Sequence, residues 1–217
     1  MFDWLKRRFC KVPPEEQVTF DVNTVCTGHH RVTYRGVKAI RCPFDYVLYQ
    51  MILCEVKPDL LIEIGTNIGG GALYLADLMQ IIGKGILHTI DIKPQADEML
   101  SSHPRIKLFT DGWAGYDLKE AGDFDRILVI EDGSHTYQDT LGALKKFGPL
   151  VSRDSYLIVE DGIINELGME REYAGGPLKA IREWLPEHPE FQVDRTWCDF
   201  FGTNATFNVN GYLKRVR

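Results

Sequence analysis

No stretch of the chain approaches the roughly 18 consecutive apolar residues that a transmembrane helix needs, and no signal-peptide-like apolar core stands near its start. A long basic stripe is also missing. Lys and Arg total 25 against 31 Asp and Glu, a net charge of −6, so nucleic acid is not the expected partner. The five cysteines (10, 26, 42, 54 and 198) are odd in number and form no CxxC pair. That excludes the usual disulfide frameworks and zinc ribbons and leads to the expectation of reduced thiols in a cytoplasmic protein. Internal repeats and low-complexity segments are absent too. What remains is ordinary: 217 residues, 44% apolar and 26% charged, enough for one domain with a substantial core.

The chain is organised around LLIEIGTNIGGG, residues Leu60 to Gly71. Its apolar, partly β-branched start reads as a buried strand. A turn with Gly65, Gly69, Gly70 and Gly71 follows, and then a helical pattern over Ala72–Ile82. Strand, glycine turn and helix bring a nucleotide-like ligand to backbone N–H groups. A dinucleotide fold would want G-x-G-x-x-G, and here position 67 is Asn. Glu63, two residues before Gly65, would repel a phosphate but accept from an ammonium or hydroxyl. The spacing Glu63-x-Gly65-x-x-x-Gly69, with Thr66 and Asn67 between, favours S-adenosylmethionine (SAM) over NAD. A strand-to-helix turn with no ligand is the plainer alternative.

Five strand-like runs are expected at 59–64, 85–92, 105–110, 125–131 and 155–160, with helical patterns at 72–82 and 138–147 between several of them. This alternation implies βαβ units and a mostly parallel sheet with helices on both faces. Helices are also expected over 43–56 and 178–185. Phe191–Trp197 and Phe207–Val216 read as two late strands, an antiparallel hairpin closing the sheet. Residues 1–30 read as an N-terminal extension and 31–217 as the single main domain. In the extension, Phe2, Leu5 and Phe9 stand at helical spacing, as an end packed on its own domain or a face for a partner or membrane surface. Thr27-Gly28-His29-His30 reads as a loop whose histidines are either solvated or metal ligands.

Three further groups of residues carry chemistry. Asp91, ending the second strand, is placed for both ribose hydroxyls of an adenosine. Asp111, Gly112 and Trp113, after the third, suit adenine contacts; Trp113 either covers the ring or packs in the core. Asp132 after the fourth strand, with Glu160 and Asp161 after the fifth, should converge at one sheet edge and need a counter-charge. A hard divalent cation supplies it; polar strand ends with no ligand are the alternative. Glu131 alternates with Asp132 and should face elsewhere. His135 lies beside this group, either as a base for a substrate hydroxyl or as an ordinary helix-start residue.

LLIEIGTNIGGGAL, TIDI, IEDGSHTYQDTLGALKKFGPLV, YLIVEDG and NATFNVNGYLKRV together resemble the cephalosporin hydroxylase / rhamnosyl O-methyltransferase family over about residues 30 to 217. The resemblance implies an α/β fold, the Rossmann-like class I methyltransferase sheet, with SAM bound at Glu63, Gly65 and Asp91. It also implies Mg²⁺ on Asp132, Glu160 and Asp161, and His135 of the D-x-x-H motif as general base. The step from Asp132 to Glu160 is similar to that in the catechol O-methyltransferases. No iron-binding HxD…H triad stands out, so the hydroxylase label brings no mechanism with it. The expectation is a Mg²⁺- (or Mn²⁺-) dependent SAM O-methyltransferase acting on a small hydroxyl acceptor, a sugar or natural product, and assembling as a homo-oligomer. Loops 165–177 and 198–206 are the expected acceptor walls, with Tyr173, Trp197, Phe200 and Phe201 either stacking on the acceptor or packing as a lid with no ligand contact. An NAD(P)-dependent oxidoreductase and a non-catalytic SAM-binding protein are the alternatives.

Overall fold

The computed structural model describes residues 13–92, 95 and 98–217, so the expected face of Phe2, Leu5 and Phe9 lies outside the described residues. The elements, in chain order, are α1 (Val22–His29), β1 (Thr33–Tyr34), β2 (Val37–Lys38), α2 (Pro43–Val56), β3 (Leu60–Ile64), α3 (Gly70–Ile82), β4 (Ile86–Ile90), α4 (Glu98–Ser102), β5 (Ile106–Phe109), α5 (Gly112–Gly115), β6 (Ile127–Glu131), α6 (Tyr137–Phe147), β7 (Tyr156–Val159), α7 (Gly176–Trp184), β8 (Phe191–Val193), α8 (Arg195–Cys198) and β9 (Tyr212–Arg215). Among the described residues no helix is long and apolar enough to cross a membrane.

Seven strands form one sheet in the order β5-β4-β3-β6-β7-β9-β8. The first five are parallel, and β9 runs antiparallel between β7 and β8. The apolar runs LLI and ILVI are buried on both faces, as central parallel strands must be. Alternation sorts the side chains. Leu61, Leu128 and Ile130 pack with α2 and α3 on one face. Leu60, Ile62, Ile127 and Val129 pack with α6 and α7 on the other. Sequence order reverses beside β3: β4 lies on one side of it and β6 on the other. Ligand clefts of open α/β sheets form outside the carboxyl ends of the strands at such a point.

The differences from expectation lie at the two ends of the chain. Residues 27–30, expected as a loop, mostly belong to α1, which a reciprocal capping box of Asp21 and Thr24 starts. Residues 33–38 form a small hairpin whose turn, Arg35-Gly36, has positive φ at both positions. The late strand expected over 191–197 stops at Val193. Asp194 then accepts from the Thr196 N–H and caps the short α8. The last strand is likewise shortened to Tyr212–Arg215.

Candidate active site

The carboxyl ends of β3, β4, β6 and β7 open into one cavity of about 610 Å³. Glu63, Gly65, Thr66, Asn67, Gly69, Asp91, Gly112, Trp113, Asp132, His135, Glu160 and Asp161 all line it. Asp111 does not: it is exposed and precedes α5 without making a side-chain cap. That corner is carried instead by Gly112 and by Trp113, whose ring also packs on α6, where a Cβ on Gly142 would lie 2.3 Å from it.

The turn after β3 is fixed from below by contacts a larger residue would break. A Cβ on Gly65 would lie 1.8 Å from the Asp132 carbonyl oxygen, so the ends of β3 and β6 meet only because position 65 has no side chain. Gly65 also has φ +103°, a region L side chains rarely adopt. Asn67 is left-handed as well, with φ +49°, and its N–H donates to Asp91 Oδ2 at 2.8 Å. The glycine turn and the end of β4 are thereby tied together. His135 and Asp161 complete a set of cavity-lining residues with left-handed backbone, at φ +60° and +56°. Strained backbone of this kind concentrates at functional sites.

Glu63 is 1% exposed and spoken for within the protein. It accepts from Thr89 Oγ1 at 2.7 Å and from Arg41 Nη2 at 3.3 Å. Arg41, which no local sequence pattern marks, joins three of the carboxylates. Its Nε donates to Glu160 Oε2 at 3.1 Å and lies 2.9 Å from Oε1, and its Nη2 donates to Asp132 Oδ2 at 3.1 Å. The guanidinium also lies over the Tyr49 ring, 5.0 Å from its centroid, and the Tyr49 hydroxyl donates to Glu160 Oε1 at 2.7 Å. The counter-charge assigned wholly to a metal is therefore supplied in part by the chain. A lone Arg in the apolar run before α2 was the available signal.

One guanidinium does not neutralise three carboxylates. Burial, and then the neighbouring Glu160, push the Asp132 carboxyl well above the usual range, while Arg41 pulls the other way. Burial raises Glu160 too, with Asp161 adding to the rise and Arg41 opposing it. Asp132, His135 and Asp161 each present a ligand atom within 4.8 Å of the others, and His135 Nε2 stands 3.3 Å from Asp161 Oδ2. Glu160, expected in the metal set, is instead turned toward Arg41 and Tyr49. Glu131 departs from the cluster as alternation requires; its Oε1 accepts from the Gly133 N–H and burial pushes its carboxyl up to about 7. Among the described lining residues, Glu63, Asp91, Asp132, Asp139, Glu160 and Asp161 face two basic side chains, Lys38 and Arg41. Such a cavity suits cations: the excess negative charge fits a divalent ion, and equally a sulfonium.

Of the four aromatic residues expected to form an acceptor wall, only Tyr173 lines the cavity. Trp197 is buried in the core, its indole N–H donating to Tyr156 at 3.0 Å. Phe200 and Phe201 are about half exposed outside the cavity, and Phe201 packs on Phe44.

A mostly parallel sheet with an antiparallel strand inserted near one edge, and a glycine turn facing a strand-end Asp, define the class I methyltransferase fold. The family model "Rhamnosyl O-methyltransferase/CmcI" matches residues 27–216, and the chain belongs to this family. It is 31% identical over 195 residues to a rhamnosyl O-methyltransferase of Mycobacterium tuberculosis, covering 85% of this chain and 78% of that one. Over 191 residues it is 29% identical to the Mycobacterium leprae rhamnosyl O-methyltransferase, covering 84% and 82%. Among solved structures, CmcI with Mg-SAM superimposes with a TM-score of 0.66 at 20% identity, covering 97% of this chain and 87% of that one. The protein is a SAM-dependent O-methyltransferase, and the dinucleotide and non-catalytic alternatives fall away.

Proposed function

We propose that the chain transfers the methyl group of SAM to a sugar hydroxyl, in a glycoside, polysaccharide or natural product, and requires Mg²⁺ to do so. The observation that carries this is the convergence of Asp132, His135 and Asp161 within 4.8 Å in the cavity onto which the glycine turn opens. The mycobacterial relatives named rhamnosyl O-methyltransferases support the choice of acceptor class.

When bound, SAM supplies an electrophilic methyl on its sulfonium, and Mg²⁺ supplies charge that acidifies and orients an acceptor hydroxyl. Asp132 and Asp161, with Glu160 behind them, would hold Mg²⁺; Mn²⁺ suits the same oxygen donors. Asp91 is placed for the ribose hydroxyls, Gly112 and Trp113 for the adenine, and the turn from Gly65 to Gly69, through Thr66 and Asn67, for the amino-acid end. Glu63 acts through Arg41 and Thr89, fixing the floor on which the donor rests. His135 takes the acceptor proton on the ring nitrogen not turned to Asp161, and Asp161, 3.3 Å from Nε2, faces the charge that the imidazole then gains. Tyr173, which lines the cavity with its ring 6.0 Å from that of His135, offers a ring face to the acceptor.

Methyl transfer to a panel of sugars and catechols, with and without EDTA, tests the reading. Activity on a sugar that vanishes in EDTA and returns with Mg²⁺ is expected; full activity in EDTA excludes the metal role. Asp132→Asn should abolish turnover with SAM affinity nearly intact. A collapse of SAM binding would place Asp132 in the donor site instead.

A further inference from the structure

The C-terminal end of α1 brings a second group of metal-ligating side chains to the same cavity. Cys26, His29 and His30 each present a ligand atom within 4.8 Å of the other two, and all three line the cavity. Their spacing, i, i+3 and i+4, puts them on one face of the helix end. Two of the three are held in place by packing. Cys26, a free cysteine, joins Val22 and Val25 against Cys42, Ile163 and Phe207. The His29 ring meets Phe207 edge-on with centroids 5.2 Å apart. His29 Nδ1 contacts the Cys26 carbonyl oxygen, which only accepts, so Nδ1 carries the proton and Nε2 keeps its lone pair. A metal-binding histidine takes this tautomer, its other nitrogen fixed by a backbone carbonyl.

We propose that Cys26, His29 and His30 form a second metal site for a borderline transition-metal ion of the zinc type, at the rim of the methyl-transfer cavity. Ligand chemistry separates it from the acidic site. A thiolate and two imidazoles select zinc-like ions, whereas Asp132 and Asp161 offer the oxygens that Mg²⁺ prefers. Three protein ligands leave a tetrahedral ion one open position, the pattern of sites that take a water or substrate oxygen rather than of closed structural ones. The proposal does not depend on the acceptor or on the Mg²⁺ requirement.

The test is a Co²⁺ titration of the metal-stripped full chain in excess Mg²⁺, with Co²⁺ standing in for Zn²⁺ as a spectroscopic probe. A thiolate-to-cobalt charge-transfer band in the near ultraviolet, saturable and displaced by Zn²⁺, is expected. Cys26→Ser should remove the band while far-ultraviolet circular dichroism stays that of the wild type. His29→Ala and His30→Ala should each weaken Co²⁺ binding by more than the roughly 10- to 100-fold that losing even an outer-shell partner costs. The band should survive in Asp132→Asn and His135→Ala. Absence of any charge-transfer band overturns the proposal, as does a band that persists in Cys26→Ser or is lost in Asp132→Asn.

Discussion

Arg41 brings its guanidinium to a side-chain exposure of 3% and spends it on carboxylates at the ends of three different strands. Removing one partner of a buried ion network leaves the others charged and unsolvated. Arg41→Met should therefore destabilise the fold by about 3–5 kcal/mol, read by urea unfolding. His88 is a second residue whose environment decides its behaviour. It is 2% exposed among Phe109, Tyr116 and Phe124, its Nδ1 2.8 Å from the Tyr116 hydroxyl. Burial, with Lys107 adding to it, pushes its pKa down from 6.5 to about 4. The fold thus holds His88 neutral while the unfolded chain binds a proton first. Stability should be full above pH 6.5 and fall as pH drops toward 4, by about 3 kcal/mol in all. His88→Gln should flatten that part of the pH profile of urea unfolding; an unchanged slope would assign it to other groups.

Helix α2 works as a clamp as well as a core element. Of the apolar face that period alone gives it (Phe44, Val47, Leu48, Met51, Ile52 and Val56), Leu48, Ile52 and Val56 are buried on α3 and the sheet, while Val47 is exposed. Its polar inward side was not legible that way. Asp45, fully buried, accepts from the Phe207 N–H and the Tyr212 hydroxyl at 3.0 Å each, and from Thr206 Oγ1. One turn on, Tyr49 receives Asn208 Nδ2 at 2.8 Å and donates to Glu160. The helix thereby fastens segment 206–212 and the end of β7 together, which holds Phe207 and Glu160 at the cavity. Asp45→Ala strands three donors and should cost about 3 kcal/mol or more, seen as a lower urea midpoint and faster proteolysis within 199–206. Helix α1 was missed for a related reason. None of its residues is fully buried, so it carries little periodic signal, and its start depends on the capping pair Asp21 and Thr24.

For the whole molecule, the sheet acts as a device for collecting strand ends. Five parallel strands deliver their carboxyl termini to one edge, and the reversal at β3 leaves a cleft there with a strong excess of carboxylates. A folded state that alone binds the donor is stabilised by mass action. S-adenosylhomocysteine at about 100 times its Kd should add roughly 2.7 kcal/mol, a rise in Tm of roughly 5–10 °C, whereas NADH should leave Tm unchanged. Thermal unfolding with each ligand checks this.

By itself the sequence determined the class of fold and which residues end its strands around the cavity. Strand and helix periods are local, the glycine turn is contiguous, and a parallel sheet forces residues that end its strands to one edge wherever they fall in the chain. Gly65, Asp91, Asp132 and Asp161 were legible on those grounds. The tertiary structure alone decided how the charges are shared. Arg41 meets Glu63, Asp132 and Glu160 across 22, 91 and 119 positions, and no local pattern encodes such pairings. It also withdrew Trp197 into the core and Asp111 to the surface, because burial depends on which elements pack together. The buried guanidinium takes part of the counter-charge that the carboxylates demand, because three strand ends and the segment before α2 meet only in the folded chain.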